Sequence, residues 1–329
     1  REARERRERR SARVERAREQ QLATIRQRAM DPSSIATDAA RLRYYVEGVP
    51  YARSVEGTEA SVGAVGPAAM RGFAEANYRP GSGGLVVAGD VEPREVVEMV
   101  ERHLGGWSGA PAVEAAFTPE PASRERRVSI VHRPGAAQSE VRVGHVGAPR
   151  STPDYYPLSI ANMVLGGMFT SRLNLNLRER NGFTYGVRSR FTFRAEAGPF
   201  EVSTAVGNDV TAAAVREIVH ELERMATDGP TEDEVAAARD YAAGVFGLQL
   251  ETAGQVATRV SQLVVYGLPD DHFDRYRDDV RSVTRAEAAA AAARHIRPDE
   301  AQVVVVGDAD VVGDPLRALE LGPVEVVEG

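Results

Sequence analysis

The chain has 329 residues, room for two domains of ordinary size, and its 43% hydrophobic and 27% charged content is that of a globular protein. A net charge of -7 argues against nucleic acid or an anionic membrane as the main partner, and all 41 basic residues are Arg. Without cysteine there is no disulfide, thiolate metal site or Cys nucleophile, and no apolar run approaches the roughly 18 residues of a membrane helix.

Residues 1–29 interleave Glu and Arg at helical spacings, such as Glu15 and Glu19 against Arg16 and Arg18, which predicts a solvated helix rather than a basic arm. Asp31-Pro32 opens a second helix running to about Tyr45, and a loop with Gly48, Pro50 and Gly57 follows. Pro67–Asn77 reads as a helix, Leu85–Ala88 as a buried strand ending at Gly89-Asp90, and Pro93–His103 as another helix. Gly81, Gly83 and Gly84 precede that strand instead of following one, so they form no phosphate-cradling loop. The Gly-, Pro- and Ala-rich stretch Gly105–Arg124 is the best linker candidate. Beyond it come strands Arg127–His132 and Glu140–Gly147, the latter alternating through Val141, Val143 and His145. Strand Phe200–Val206 leads to helices at Val210–Ala226, Glu232–Leu250, Gly254–Tyr266 and Arg285–His295, and the chain closes on the buried strand Val303–Val306.

The most informative stretch is Ala161–Phe193, ANMVLGGMFTSRLNLNLRERNGFTYGVRSRFTF. It predicts a helix entering the Gly166-Gly167 step, a short second helix and an Asn181-Gly182 corner. A strand then runs from Tyr185 through Val187, Ser189, Phe191 and Phe193 on one face. Arg178 thus closes a helix and Tyr185 opens a strand, with both side chains aimed into one space by the corner between them.

This block resembles the C-terminal-domain signature of the pitrilysin/insulinase family of zinc peptidases, including relatives of mitochondrial processing peptidase. Active members carry there an Arg and a Tyr seven residues apart that hold the backbone of an extended peptide. The matching positions are Arg178 and Tyr185. A planar guanidinium and a phenol both donate to peptide carbonyls, including one gaining negative charge during attack. The resemblance implies that Gly166 and Gly167 allow close approach of a substrate backbone, although packing of helix on sheet would equally require them.

An internal repeat accompanies the motif. Asn77–Pro80 and Leu85–Asp90 match His295–Pro298 and Val303–Asp308 at a constant offset of 218. The fold expected is α+β: two homologous domains, each a mostly antiparallel sheet packed against helices on one side. Residues 1–108 would be the C-terminal part of the first domain, 109–125 a linker, and 126–329 a complete second domain. The first copy has no counterpart of residues 127–221, so the chain is expected to be a fragment, to be completed by another chain, or to follow a disordered N-terminal part.

The family's zinc sits on an inverted HxxEH helix, and no HxxEH occurs here. His103, His132, His145, His220, His272 and His295 stand far apart, and His220-Glu221 meets Arg224 where HExxH would need a second His. Counting back from Pro32, the family's third ligand position falls on Thr24, with Glu19 as the alternative alignment. The resemblance therefore implies a subunit that binds a peptide substrate through Arg178 and Tyr185, binds no zinc itself, and works with a homologous zinc-bearing subunit as a heterodimer, or as a homodimer. The alternatives are a self-sufficient zinc peptidase whose HxxEH lies outside residues 1–329, and an inert structural subunit of the core type.

Overall fold

A computed structural model describes residues 2–113 and 116–328, without the side chains of residues 2–11. In chain order the helices and strands are α1 (Glu2–Arg28), α2 (Pro32–Tyr44), α3 (Glu59–Ala64), α4 (Pro67–Asn77), α5 (Pro93–Leu104), β1 (Arg127–His132), β2 (Gln138–Val146) and α6 (Tyr155–Asn162). There follow β3 (Val187–Phe191), β4 (Pro199–Gly207), α7 (Thr211–Thr227), α8 (Glu232–Leu248), α9 (Ala253–Tyr266), α10 (His272–Ser282), α11 (Arg285–His295), β5 (Gln302–Gly307), α12 (Ala309–Arg317) and β6 (Val324–Glu328). The chain gathers into two compact units. One holds residues 1–26, 56–116 and 244–275, the other 27–55, 117–243 and 276–329.

All the strands lie in the second unit, in one six-stranded sheet of order β3-β4-β2-β5-β1-β6. β5 runs antiparallel to β2 and parallel to β1, while β3 and β4 extend the antiparallel part to the edge. The central strand β5 is a run of valines because both of its faces are covered. Val303 and Val305 join the larger core with Val215, Ile218 and Leu222 of α7 and Ala288, Ala291 and Ala292 of α11. Val304 and Val306 face the other way, against Ala36, Ala40 and Tyr44 of α2.

That second layer corrects the expected alternation in β2. Arg142 and Gly144 are buried along with Val141, Val143 and His145, because α2 covers the face that would otherwise be solvated. Arg142 spends its charge on Glu140 at 2.9 Å and on the Ser33 hydroxyl and carbonyl of α2. Tyr44 donates to Glu201 at 3.0 Å. Burial raises both the Tyr44 phenol, further aided by Glu201, and the Glu201 carboxyl, which Arg142 partly offsets. Gly144 is required under this layer: a Cβ there would stand 2.2 Å from Phe200 O and 2.7 Å from the Tyr44 hydroxyl.

α4 of the first unit occupies residues 67–77 and α11 of the second residues 285–295, the same bounds at the repeat offset of 218. Their surroundings are opposite. α11 buries Ala288, Ala291 and Ala292, whereas the corresponding Met70 and Phe73 of α4 are 41% and 61% exposed. The expected buried strand Leu85–Ala88 is likewise overturned: the segment pairs with no strand, and Leu85 and Val87 are exposed. A strand is stable only with hydrogen-bonded neighbours, and the described residues of this unit supply none. Of the expected linker 109–125, residues 114 and 115 lie outside the described residues, while Pro121 bridges to Tyr45 and Phe117 packs edge-on against Tyr51.

His145 is buried beside Phe200, its Nδ1 2.8 Å from Val146 O and its Nε2 accepting the Arg297 amide at 3.1 Å. Nδ1 therefore carries the proton, and a second one on Nε2 would face a donor. Burial, reinforced by the Arg297 charge, pushes the imidazole down to about 3. The unfolded chain takes up this proton near pH 6.5 and the folded chain only near 3, so the stability is complete above 6.5 and is lost as pH falls between the two values. Urea unfolding from pH 7 to pH 4 is expected to show a falling unfolding free energy, by up to about 1.4 kcal/mol per pH unit from this group. His145→Gln is expected to flatten that slope; an unaltered slope would show that the imidazole is protonated in the folded chain.

Candidate functional site

The block singled out in the sequence folds as a braced corner. Two π-helical turns, Met163–Gly167 and Asn174–Arg180, carry i→i+5 bonds, from the Met168 amide to Met163 O at 3.2 Å and from the Asn181 amide to Asn176 O at 3.1 Å. Such widened turns recur at functional sites. Leu173 and Leu177 are fully buried beneath the second turn, as their spacing predicts. The turn closes where expected: Gly182 takes a left-handed φ of 65° and its amide bonds Arg178 O at 3.1 Å, while the Phe183 amide bonds Leu177 O at 2.8 Å.

Asn174 ties this helical turn to the edge strand. Its Oδ1 accepts the Val187 amide at 3.1 Å and its Nδ2 donates to Val187 O at 3.0 Å, so one side chain satisfies both backbone groups of a strand residue. The same Nδ2 lies 3.2 Å from Met168 O and 3.1 Å from the Ser171 hydroxyl. Two residues on, Asn162 donates to Ser189 O and accepts the Ser189 hydroxyl. The free edge of β3 is thus occupied by two amide side chains, which denies it to another strand.

Arg178 is half-buried, its guanidinium carbon 4.3 Å from the centre of the Phe169 ring and its Nε 3.5 Å from Glu179. Cation–π contact with an exposed ring orients the planar group at a modest gain, about 0.5–1 kcal/mol. Among the described residues its ion pair is made through Nε, and no hydrogen bond engages its Nη groups. Tyr185 lies two residues before β3 rather than within it, and is 96% exposed. The expected strand Tyr185–Phe193 is therefore shorter at both ends, Val187–Phe191, with Val187, Ser189 and Phe191 inward and Arg188 and Arg190 outward. No hydrogen bond or ring contact joins Arg178 to Tyr185 among the described residues. The corner presents two donors to solvent, a guanidinium and a phenol, on one braced segment.

The two glycines separate. Gly166 is buried, and a Cβ there would stand 2.5 Å from the Ser189 nitrogen and 2.9 Å from Leu173 Cδ1. Gly167 is exposed, and its Cβ would meet Asn162 O at 3.2 Å. Gly166 is what lets the first π-helical turn lie against β3. Phe169, Asn174 and Thr204 were not predicted from the sequence; only the folded corner brings Phe169 to Arg178, Asn174 to Val187 and Thr204 to Gly186.

Donors for a metal were tested in the same way. Among the described residues one grouping, His132 with Asp308 and Asp310, brings its ligand atoms within 4.8 Å of one another. Asp308 caps α12 through the Asp310 amide and also accepts the Gly135 amide, and His132 Nδ1 accepts the Ala309 amide, so these atoms serve a helix end. His295 is taken by Asp154 at 2.8 Å, and His145 is locked between two backbone groups. Burial would raise the Asp154 carboxyl, but hydrogen bonds from His295 and Arg294 outweigh it and hold the group low. Thr24 is exposed on α1 and gives its hydroxyl to Gln20 O at 3.1 Å. These residues do not fit the zinc of an inverted HxxEH helix.

The fold has known counterparts. The family model for the peptidase M16 inactive domain matches residues 64–241, and the chain belongs to that family. An uncharacterized zinc protease of Mycobacterium tuberculosis is 28% identical over 302 residues, which cover 89% of this chain and 67% of that protein. One from Streptomyces coelicolor is 30% identical over 247 residues, 71% of this chain and 53% of its own length. The crystal structure of a peptidase M16 inactive domain from Pseudomonas fluorescens superposes with a TM-score of 0.82 at 23% identity, covering 91% of this chain and 70% of that one.

Gly166→Ala is expected to lower the unfolding free energy by about 2–3 kcal/mol, through overpacking against β3, and Gly167→Ala by less than about 1 kcal/mol. Denaturant unfolding of both variants checks this; equal effects would contradict the packing assigned to Gly166.

Proposed function

We propose that this chain is the substrate-holding subunit of a metallopeptidase that hydrolyses peptides or unfolded polypeptides. Arg178 and Tyr185 donate hydrogen bonds to the backbone of an extended substrate, and zinc is supplied by a homologous partner chain. The observation that carries the reading is the pair of solvent-facing donors on one braced corner, in a chain whose histidines fit no HxxEH zinc. Phe169 keeps the guanidinium plane over its ring and leaves the Nη edge for a carbonyl. Charge-assisted bonds of this kind are the stronger class, and they strengthen further as a carbonyl oxygen gains charge during attack. Gly167, exposed beside Phe169, leaves room for a peptide backbone, while Gly166 serves the corner's own packing.

In the same reading, residues 1–108 are the C-terminal part of a first peptidase-like domain, 109–125 a linker and 126–329 the second domain. The matched bounds of α4 and α11 support this repeat, and so does the apolar face left open at Met70, Phe73, Leu85 and Val87. Thr24, with its hydroxyl turned back to its own helix, supports a chain that leaves zinc to its partner.

Metal analysis of the purified chain, paired with cleavage of a quenched unstructured peptide with and without chelator, tests the division of labour. The chain alone is expected to hold no stoichiometric zinc and to cleave nothing, and the mixture with its HxxEH-bearing partner to cleave in a chelator-sensitive way. In that mixture Arg178→Ala is expected to lower kcat/KM by about 10²–10³. Stoichiometric zinc with chelator-sensitive cleavage by the chain alone would overturn the proposal.

A further inference from the structure

Tyr185 reaches solvent from a turn whose neighbouring residue, Gly186, has the widest conformational range of any residue type. Three hydrogen bonds converge on that glycine. The Thr184 hydroxyl donates to Gly186 O at 3.0 Å and accepts the Gly186 amide at 3.2 Å. Thr204 Oγ1, reaching over from β4, lies 3.0 Å from the same Gly186 O and 2.9 Å from Thr184 Oγ1. Thr204 is only 6% exposed and pairs in register with Val187, the residue that Asn174 holds from the other side. The turn is therefore pinned between a buried hydroxyl of the sheet and a buried amide of the helical turn, while its tyrosine is 96% exposed.

We propose that Thr204, acting through Thr184 and Gly186, is a positioning residue for Tyr185. It fixes the backbone from which the phenol projects, so that an otherwise unconstrained side chain searches only its own rotamers. A substrate then does not have to order the turn as well, and ordering a residue on binding costs affinity. This rests on the reading of Tyr185 as a donor to the substrate backbone.

The test compares Thr204→Val, which keeps the shape and removes the hydroxyl, with Thr204→Ser, which keeps the hydroxyl, and with Tyr185→Phe. Each is assayed in the complex with the zinc-bearing partner, on an unstructured reporter peptide, and hydrogen exchange of the Gly186 amide is followed in the chain itself. Thr204→Val is expected to lower kcat/KM about three- to tenfold, mostly through KM, to speed Gly186 exchange by a similar factor, and to leave the thermal midpoint near that of wild type. Thr204→Ser is expected to restore both. If Tyr185→Phe impairs the enzyme and Thr204→Val does not, the positioning role is overturned while the role of Tyr185 stands. If Thr204→Ser is as impaired as Thr204→Val, the effect belongs to packing and the positioning role is again overturned. If Tyr185→Phe has no effect, the reading of Tyr185 fails, and the exchange data decide separately: equal Gly186 exchange in wild type and Thr204→Val removes the positioning role too.

Discussion

One buried amide, that of Asn174, makes the corner possible. A residue at the edge of a sheet leaves an amide and a carbonyl without partners, and leaving such groups unpaired in a protein interior costs about 1–3 kcal/mol each. Asn174 answers both groups of Val187 with a single side chain and also reaches Met168 O and the Ser171 hydroxyl. The helical turn bearing Arg178 and the strand following Tyr185 are thereby one mechanical body. Gly166 lets that body close against Ser189, and Asn162 completes the edge. Truncating Asn174 would strand several groups at once, so the corner stands or falls as a unit.

The central strands β2 and β5 support this corner by being covered on both faces. α7 and α11 cover one face, and α2 the other, with the Arg142–Glu140–Ser33 and Tyr44–Glu201 contacts satisfying the polar groups trapped beneath it. Net gains from such buried polar contacts are small, but breaking one member is costly, which favours a single register for α2 on the sheet. In the first unit α4 repeats the bounds of α11, at the offset of 218, without the same cover. Where α11 buries three alanines, α4 exposes Met70 and Phe73, and the segment matching β5 has no strand beside it.

Much of this was legible in the sequence, for reasons that can be named. The bounds of β1, α4 and α11 follow from periodicity and from strong punctuation by Pro67, Thr284 and the Arg-Pro steps. The Arg178–Gly182 closure follows from helix C-terminal chemistry, because a left-handed residue is needed there and glycine supplies it. Three features were not legible. The burial of Arg142 depends on α2, more than a hundred residues away in sequence. The strand at Leu85–Ala88 has strand-forming residues, but pairing is a property of neighbours and not of the segment. The two π-helical turns and the Thr184–Thr204 contacts at Gly186 arise from contacts across the corner, so a pattern read along one element passes over them.

The direct measurement of the central claim is site-specific photo-crosslinking. A photoreactive phenylalanine analogue at position 185, in the complex with the zinc-bearing partner, is expected to capture an unstructured reporter peptide, and excess unlabelled peptide should suppress the capture. The same analogue at exposed Tyr241 should capture none. Capture at 185 that competes with substrate would establish that the corner holds the peptide. No capture at 185, or equal capture at 241, would contradict it.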